Sequence, residues 1–200
     1  MTRNLLSGLV LVALAPGCAT TEAQQRAESG EVLAEGITRK KAGNEKVTEY
    51  DLNGDKKPDV WTYTVVAKNP EGKDVERVVR KELDLNWDGK VDISRTYDER
   101  EQIVQEALDM DFDGKVDQVN SYEKGIIVLK ERDMLSTGKP ASWLFFEKGK
   151  LVRKEKDTNN DGKVDYWEYW EGDQVDRVGE DLDGDGAVDK WTKNPNAGEG

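Results

Sequence analysis

The chain repeats itself. A nine-residue acidic pattern, Asp-x-[Asn/Asp]-x-Asp-Gly-x-x-Asp, begins at residues 51, 84, 109, 157 and 181, at intervals of 33, 25, 48 and 24. The interval of 48 is twice 24. Halfway along it, Asp133-Met-Leu-Ser-Thr-Gly138-Lys139-Pro140 keeps the framework Gly and Lys but has lost the other acids, so six units stand in register. A unit this short cannot bury an apolar face by itself, and neighbouring units must share one.

The residues after each loop are as regular as the loop itself. Val91, Val116, Val164 and Val188 occupy the eighth position, with Pro58 and Pro140 as substitutes; Trp61, Trp143, Trp167 and Trp191 occupy the eleventh; Tyr97, Tyr122, Phe146 and Trp170 occupy the fourteenth. Segments such as Val164–Trp170, rich in β-branched and aromatic residues between turn residues, read as strands. Turns at Glu123-Lys-Gly125, Glu147-Lys-Gly149 and Glu171-Gly172-Asp173 lead into second strands, such as Ile126–Leu129. The pattern predicts an all-β fold: an antiparallel β-hairpin repeat of about 24 residues with about ten to twelve short strands. It could be an extended sheet, a partial barrel or propeller-like. Unit one has nine extra residues, expected as a longer hairpin tip around Lys68–Lys73. The aromatic columns are expected to form the shared spine. The cluster Tyr166, Trp167, Tyr169 and Trp170 is the place to look for an exposed partner face.

The acidic loops point to calcium, which takes six to eight hard oxygen ligands. Oxygen side chains stand at positions one, three, five and nine, and position seven offers its backbone carbonyl. The candidate ligands are Asp84, Asn86, Asp88, Lys90 and Asp92 in unit two, and Asp109, Asp111, Asp113, Lys115 and Asp117 in unit three. Units five and six supply Asp157, Asn159, Asp161, Lys163 and Asp165, then Asp181, Asp183, Asp185, Ala187 and Asp189. Unit one has Lys56 where Gly belongs, leaving Asp51, Asn53, Asp55 and Asp59 as its candidates; unit four is expected to bind nothing, with Met134 and Leu135 free to pack. One such loop is equally an Asx-rich turn without metal, since turns favour the same residues. Five in one register favour the ion. A true EF-hand needs Glu at position twelve and flanking helices; that position is Thr62, Arg95, Asn120, Glu168 and Thr192. The loops resemble the β-flanked calcium loops of FG-GAP repeats in integrin-type propellers, and as isolated loops are EF-hand-like. They are similar, less closely, to thrombospondin type 3 loops, without that family's cysteines, and the hairpin spacing resembles MORN-like bacterial repeats. The resemblance spans about residues 51 to 192 and implies Ca²⁺ as the bound ion.

The inventory narrows the chemistry further. With no His and one Cys, zinc sites, His bases and internal disulfides are excluded. Lys+Arg 30 against Asp+Glu 42 leave a formal charge of -12, which opposes nucleic-acid binding. Hydrophobic residues at 36% allow only a thin core, yet six Trp and six Tyr argue against disorder. Paired acids confined to ion loops make a two-carboxylate hydrolase unlikely, and no enzyme is expected.

At the N-terminus, Arg3 precedes the apolar run 5–15, too short to span a membrane as a helix and of signal-peptide length. Ala15-Pro16-Gly17-Cys18 comes next and resembles a bacterial lipobox, which implies lipidation of Cys18. The expected organisation is therefore a lipoprotein signal peptide over 1–17, a polar tether over 18–36, the repeat domain over 37–192 and a flexible tail over 193–200. Ala19 after the cysteine points to the outer membrane rather than inner-membrane retention. Arg39-Lys40-Lys41 is expected to be a solvated strand edge. These features together suggest an exported, calcium-binding envelope lipoprotein, anchored through Cys18, with a structural or binding role toward an envelope protein or glycan. The alternative is a calcium-dependent adhesin or a subunit of an envelope complex. Loss of residues 1–17 removes Arg3 and gives a charge of -13; five Ca²⁺ at loops holding 17 acids would bring it to about -3.

Overall fold

Runs of β-branched and aromatic residues between loops built for reversal leave the backbone one way to satisfy its polar groups, which is to pair with the preceding run. The computed structural model describes residues 37–40, 45–133 and 135–195. Within them are thirteen strands and no helix: β1 (Ile37–Lys40), β2 (Glu45–Tyr50), β3 (Val60–Lys68), β4 (Asp74–Leu83), β5 (Ile93–Tyr97), β6 (Ile103–Leu108), β7 (Gln118–Glu123), β8 (Ile126–Arg132), β9 (Ser142–Glu147), β10 (Lys150–Lys156), β11 (Tyr166–Glu171), β12 (Gln174–Glu180) and β13 (Lys190–Lys193). The expected signal peptide, Cys18 and tether lie outside the described residues, as do Lys41, Met134 and the tail from 196.

The strands pair antiparallel in chain order, so the sheet is open, with β1 and β13 as its edges. Of the three closures the repeat allows, this is the extended sheet. Each described strand contacts only its hydrogen-bonded neighbours, so the sheet is one layer thick. The units share their surfaces edge to edge. Unit one corrects the sequence expectation of a long tip: β3 and β4 have nine and ten residues, against five to seven in β5 through β12, and the turn between them is short. Pairing satisfies backbone groups that a long loop would leave to water.

The five hairpins β3–β4, β5–β6, β7–β8, β9–β10 and β11–β12 each carry a bulge at the same place. The register skips Val79, Val104, Val128, Val152 and Asp176 on the returning strands. Such bulges increase the right-handed twist of the ribbon.

One layer cannot enclose an apolar core. Val47, Tyr63 and Ala141 are the fully buried apolar side chains among the described residues, whereas the buried polar set has ten members, six of them aspartates. The tryptophans at position eleven share one face, and the fourteenth-position aromatics lie on the other, as an odd spacing in a strand requires. They therefore form two columns rather than one spine. Tyr166, Trp167, Tyr169 and Trp170 are all part-buried, while Trp191 is 50% exposed.

On the tryptophan face, the thirteenth-position rings are roofed by arginines from the adjacent strand: Arg80 lies 3.9 Å from the Tyr63 ring centroid, Arg153 4.1 Å from Phe145 and Arg177 4.7 Å from Tyr169. These contacts cover aromatic surface that no second layer covers. Burial, then the Glu82 carboxylate that accepts the Tyr63 hydroxyl at 2.7 Å, pushes the phenol up to about 12.

The opposite face carries a polar chain across four strands. Arg132 Nε donates to Gln118 (2.8 Å), Gln118 Nε2 to Asn120 (2.8 Å), and Asn120 Nδ2 to Glu106 (3.0 Å). Glu106 also accepts from Arg95 Nε (2.7 Å) and the Tyr122 hydroxyl (3.3 Å). Burial pushes Glu106 up, but these donors outweigh it and hold the carboxyl below its ordinary 4.5. A depressed carboxyl stabilises the fold above its unfolded pKa, and that contribution is lost as pH falls through the folded value. Denaturant melts of wild type and Glu106→Gln should therefore differ most near neutrality, by about 1 to 3 kcal/mol, and converge on acidification below 4.5. A gap independent of pH would show that Glu106 acts by packing alone.

Candidate metal centre

The acidic loops join β2 to β3, β4 to β5, and so on to β12 and β13, which places all of them on one rim of the sheet. Consecutive loops are two strands apart, or about 10 Å. Their backbones are alike. Positions four and six are left-handed in all six: Gly54 and Lys56, Trp87 and Gly89, Phe112 and Gly114, Ser136 and Gly138, Asn160 and Gly162, Gly184 and Gly186. Unit one inverts the usual glycine placement, and unit four keeps the conformation without its acids.

Carboxylates wind this backbone. The position-one aspartate accepts the position-six N–H at 2.5 to 2.8 Å: Asp51 from Lys56, Asp84 from Gly89, Asp109 from Gly114, Asp133 from Gly138, Asp157 from Gly162 and Asp181 from Gly186. Position three accepts from position five, through Asn53, Asn86, Asp111, Asn159 and Asp183. Position five accepts from position seven, through Asp55, Asp88, Asp113, Asp161 and Asp185. Position nine turns back to the N–H of position two: Asp59 to Leu52, Asp92 to Leu85, Asp117 to Met110, Asp165 to Thr158 and Asp189 to Leu182.

The loops are also tied to one another. The position-one N–H donates to the position-nine carbonyl of the preceding loop: Asp84 to Asp59, Asp109 to Asp92 and Asp133 to Asp117 at 2.8 Å, and Asp157 to Ala141 and Asp181 to Asp165 at 3.0 Å. Three of the five position-seven lysines reach forward to the next loop's backbone. Lys90 Nζ donates to the Asp113 carbonyl (3.1 Å), Lys115 to Ser136 (3.3 Å) and Lys163 to Gly184 (2.8 Å). In the unit-six loop the equivalent residue is Ala187.

Two loops gather three carboxylates with ligand oxygens within 4.8 Å of one another: Asp109, Asp111 and Asp117, and Asp181, Asp183 and Asp185. Oxygens about 2.4 Å from one ion can be at most about 4.8 Å apart, so both groups have calcium dimensions. Both have Asp at position three, where the other acidic loops have Asn53, Asn86 or Asn159. Which acids gather tracks the lysine. Lys115 Nζ lies 3.3 Å from Asp113, the acid left out of the unit-three group, whereas in unit six Ala187 leaves Asp185 within the group. No protein-family model and no curated protein matches this chain.

Two buried atoms test the fit of a cation. Asp109 and Asp92 are 5% and 2% exposed, and the Oδ1 of each has no hydrogen-bond partner. An ionised oxygen removed from water without a partner is costly, and a hard cation satisfies it. Backbone donors serve the other acids. The N–H of Lys90 leads in holding Asp88 below its ordinary 3.8, and that of Gly186 does so for Asp181. At Asp133 burial pushes upward, but the N–H groups of Thr137, Gly138 and Leu135 prevail and lower it.

Spacing alone revealed the loops, but not the lysine ties, because a lysine at position seven reads as a solvated side chain until the neighbouring loop is in place. Gly114 shows how close that contact is. A Cβ there would lie 2.6 Å from Lys90 Cδ, whereas at Gly89 it would meet nothing within 4 Å. Both residues have positive φ, so Gly89→Ala should cost about 1 to 2 kcal/mol from backbone strain alone, and Gly114→Ala slightly more, because it displaces the flexible end of Lys90 from the Asp113 carbonyl. In a Lys90→Ala background the excess at Gly114 should vanish, which a double-mutant cycle in denaturant would measure.

Proposed function

We propose that the protein is a calcium-binding envelope lipoprotein whose rim loops hold Ca²⁺ and whose sheet serves as a structural and binding module. The observation that carries this reading is the unpartnered, buried Oδ1 of Asp109 in a loop where Asp111 and Asp117 stand close enough to share one ion. The common loop backbone supports extending the role to the acids of units one, two, five and six. Bound calcium would supply positive charge to clustered carboxylates, while the chain's own N–H groups fix the loop around them. Lipidation of Cys18 would hold the module at the bacterial envelope, with the polar segment 18–36 as spacer.

The ion's role would be mainly structural, because the apolar core is so small. At about 2 mM free Ca²⁺ and a Kd of about 0.1 mM, each site stabilises the fold by about 1.8 kcal/mol. Five such sites reach about 9 kcal/mol, comparable with the whole stability of a small domain. Chelation with EDTA should therefore lower the melting temperature sharply and loosen the strand signal in circular dichroism. By calorimetry, Asp161→Ala and Asp185→Ala should each lower the calcium stoichiometry by one, while Asp133→Ala in unit four leaves it unchanged. A melt indifferent to EDTA, with no calcium retained after dialysis, would sink the reading.

A further inference from the structure

Unit four departs from the repeat in two ways that meet in space. Its loop has lost the acids at positions three, five and nine, which are Leu135, Thr137 and Ala141. The strands at its base have gained cations. On the face opposite the tryptophans, the residues flanking the first three loops are the uncharged Tyr50, Val60, Leu83, Ile93, Leu108 and Gln118; at units four and five the same row reads Arg132, Ser142, Lys156 and Tyr166. The next row along the strands reads Lys130, Leu144, Lys154 and Glu168.

These rows and the emptied loop border a cleft of about 400 Å³, lined by Arg132, Ser142, Lys154, Lys156 and Thr158 around the apolar Leu135 and Ala141. The cations are under-neutralised. Arg132 Nε is held by the neutral oxygen of Gln118, and no described carboxylate pairs with it. Lys154 and Lys156 share a single carboxylate, Glu168, at the long separations of 3.7 and 3.9 Å, and Lys156 Nζ also lies 4.8 Å from the Tyr166 ring centroid, a contact that leaves its charge uncancelled. The acid that lines the cleft, Asp157, accepts backbone N–H groups on both oxygens, from Asp161 (3.2 Å) and Gly162 (2.8 Å). Burial first, and then the like charges of Lys156 and Arg132, pull Lys154 below its ordinary 10.5 against the pull of Glu168. Three cations thus converge on a cleft in a chain whose formal charge is -12.

We propose that this cleft binds a tetrahedral oxyanion, the phosphoryl or sulfo group of a ligand, between Arg132 and the Lys154–Lys156 pair. A guanidinium offers paired donors to two oxygens, ammonium groups add charge without directional demand, and the Ser142 hydroxyl can serve a third oxygen. Loss of the loop-four acids removes the repulsion that an anion would meet on that side of the cleft, and on the other side the Asp157 carboxylate is engaged by backbone N–H groups. The cleft borders the unit-five loop through Asp157 and Thr158, but none of its three cations is a proposed calcium ligand.

The test uses the full-length chain in calcium-containing buffer with two probes: inorganic sulfate, titrated by NMR or calorimetry, and vesicles with or without phosphatidylglycerol, assayed by co-sedimentation. The variants are Arg132→Gln, Lys156→Gln and Lys154→Gln/Lys156→Gln. Lys150→Gln, at the far end of β10, is the charge-matched control. Saturable binding of at least one anionic probe, weakened tenfold or more by the double variant and by Arg132→Gln but not by Lys150→Gln, is the expected result. Sulfate binding places the ligand among soluble anions, and binding to anionic vesicles alone identifies a lipid headgroup. Because the N-terminal apolar run is common to all variants, its own membrane affinity cancels. Circular dichroism checks each variant's fold, with Lys156→Gln as the mildest change. Absence of saturable binding to either probe, or equal weakening by Lys150→Gln, would overturn the proposal.

Discussion

The bond on which this architecture depends runs from an aspartate carboxylate to a backbone N–H. Position one of each rim loop accepts the position-six amide, and in the five acidic loops position nine accepts the position-two amide, so both ends of the nine-residue turn are clamped by the same kind of contact. These clamps let residues as unsuited to the left-handed region as Lys56, Trp87 and Phe112 hold positive φ. They also fix the exit direction of the following strand. The position-nine peptide then accepts the next loop's position-one N–H, which makes the rim a continuous hydrogen-bonded line rather than a set of separate turns.

That line matters because the sheet has no second layer. In most β proteins register is enforced by an apolar face that must be buried, whereas here both faces meet water and few apolar side chains are fully enclosed. Register is held instead by the rim ties, the arginine-roofed rings and the polar chain ending at Glu106. Repeated bulges twist the ribbon, and β13 presents Lys190 and Lys193 at its edge, a device that discourages further strand addition. Stability in such an object is distributed along the repeat. Cation binding at the rim would act where the chain has concentrated its buried charge.

The degenerate unit shows that loop geometry and loop charge are separable. Unit four keeps the left-handed residues Ser136 and Gly138, with Asp133 still accepting the Gly138 amide, although Leu135, Thr137 and Ala141 replace its acids. The position-one aspartate, with the Thr137 hydroxyl accepting the Lys139 amide, is sufficient for the turn. The remaining acids of the other loops are therefore in excess of what reversal requires, and it is this excess that the proposed calcium role would use. Where the excess is missing, basic side chains gather instead.

Much of this was legible in the residue pattern: six units, two strands per unit, the turn at each Gly tip and the row of acids come from spacing and the period of two, because local backbone chemistry determines them. The sequence could not decide whether the sheet closes, because closure depends on how twist accumulates over thirteen strands. Nor could it show that Asp109 and Asp92 each bury an unpartnered oxygen, that Lys90 and Lys163 bind the next loop, or that Arg132, Lys154 and Lys156 share a cleft. Those contacts join residues more than twenty positions apart or depend on what encloses a side chain. Both are properties of the strand register in three dimensions, which the repeat implies only once the whole sheet is assembled.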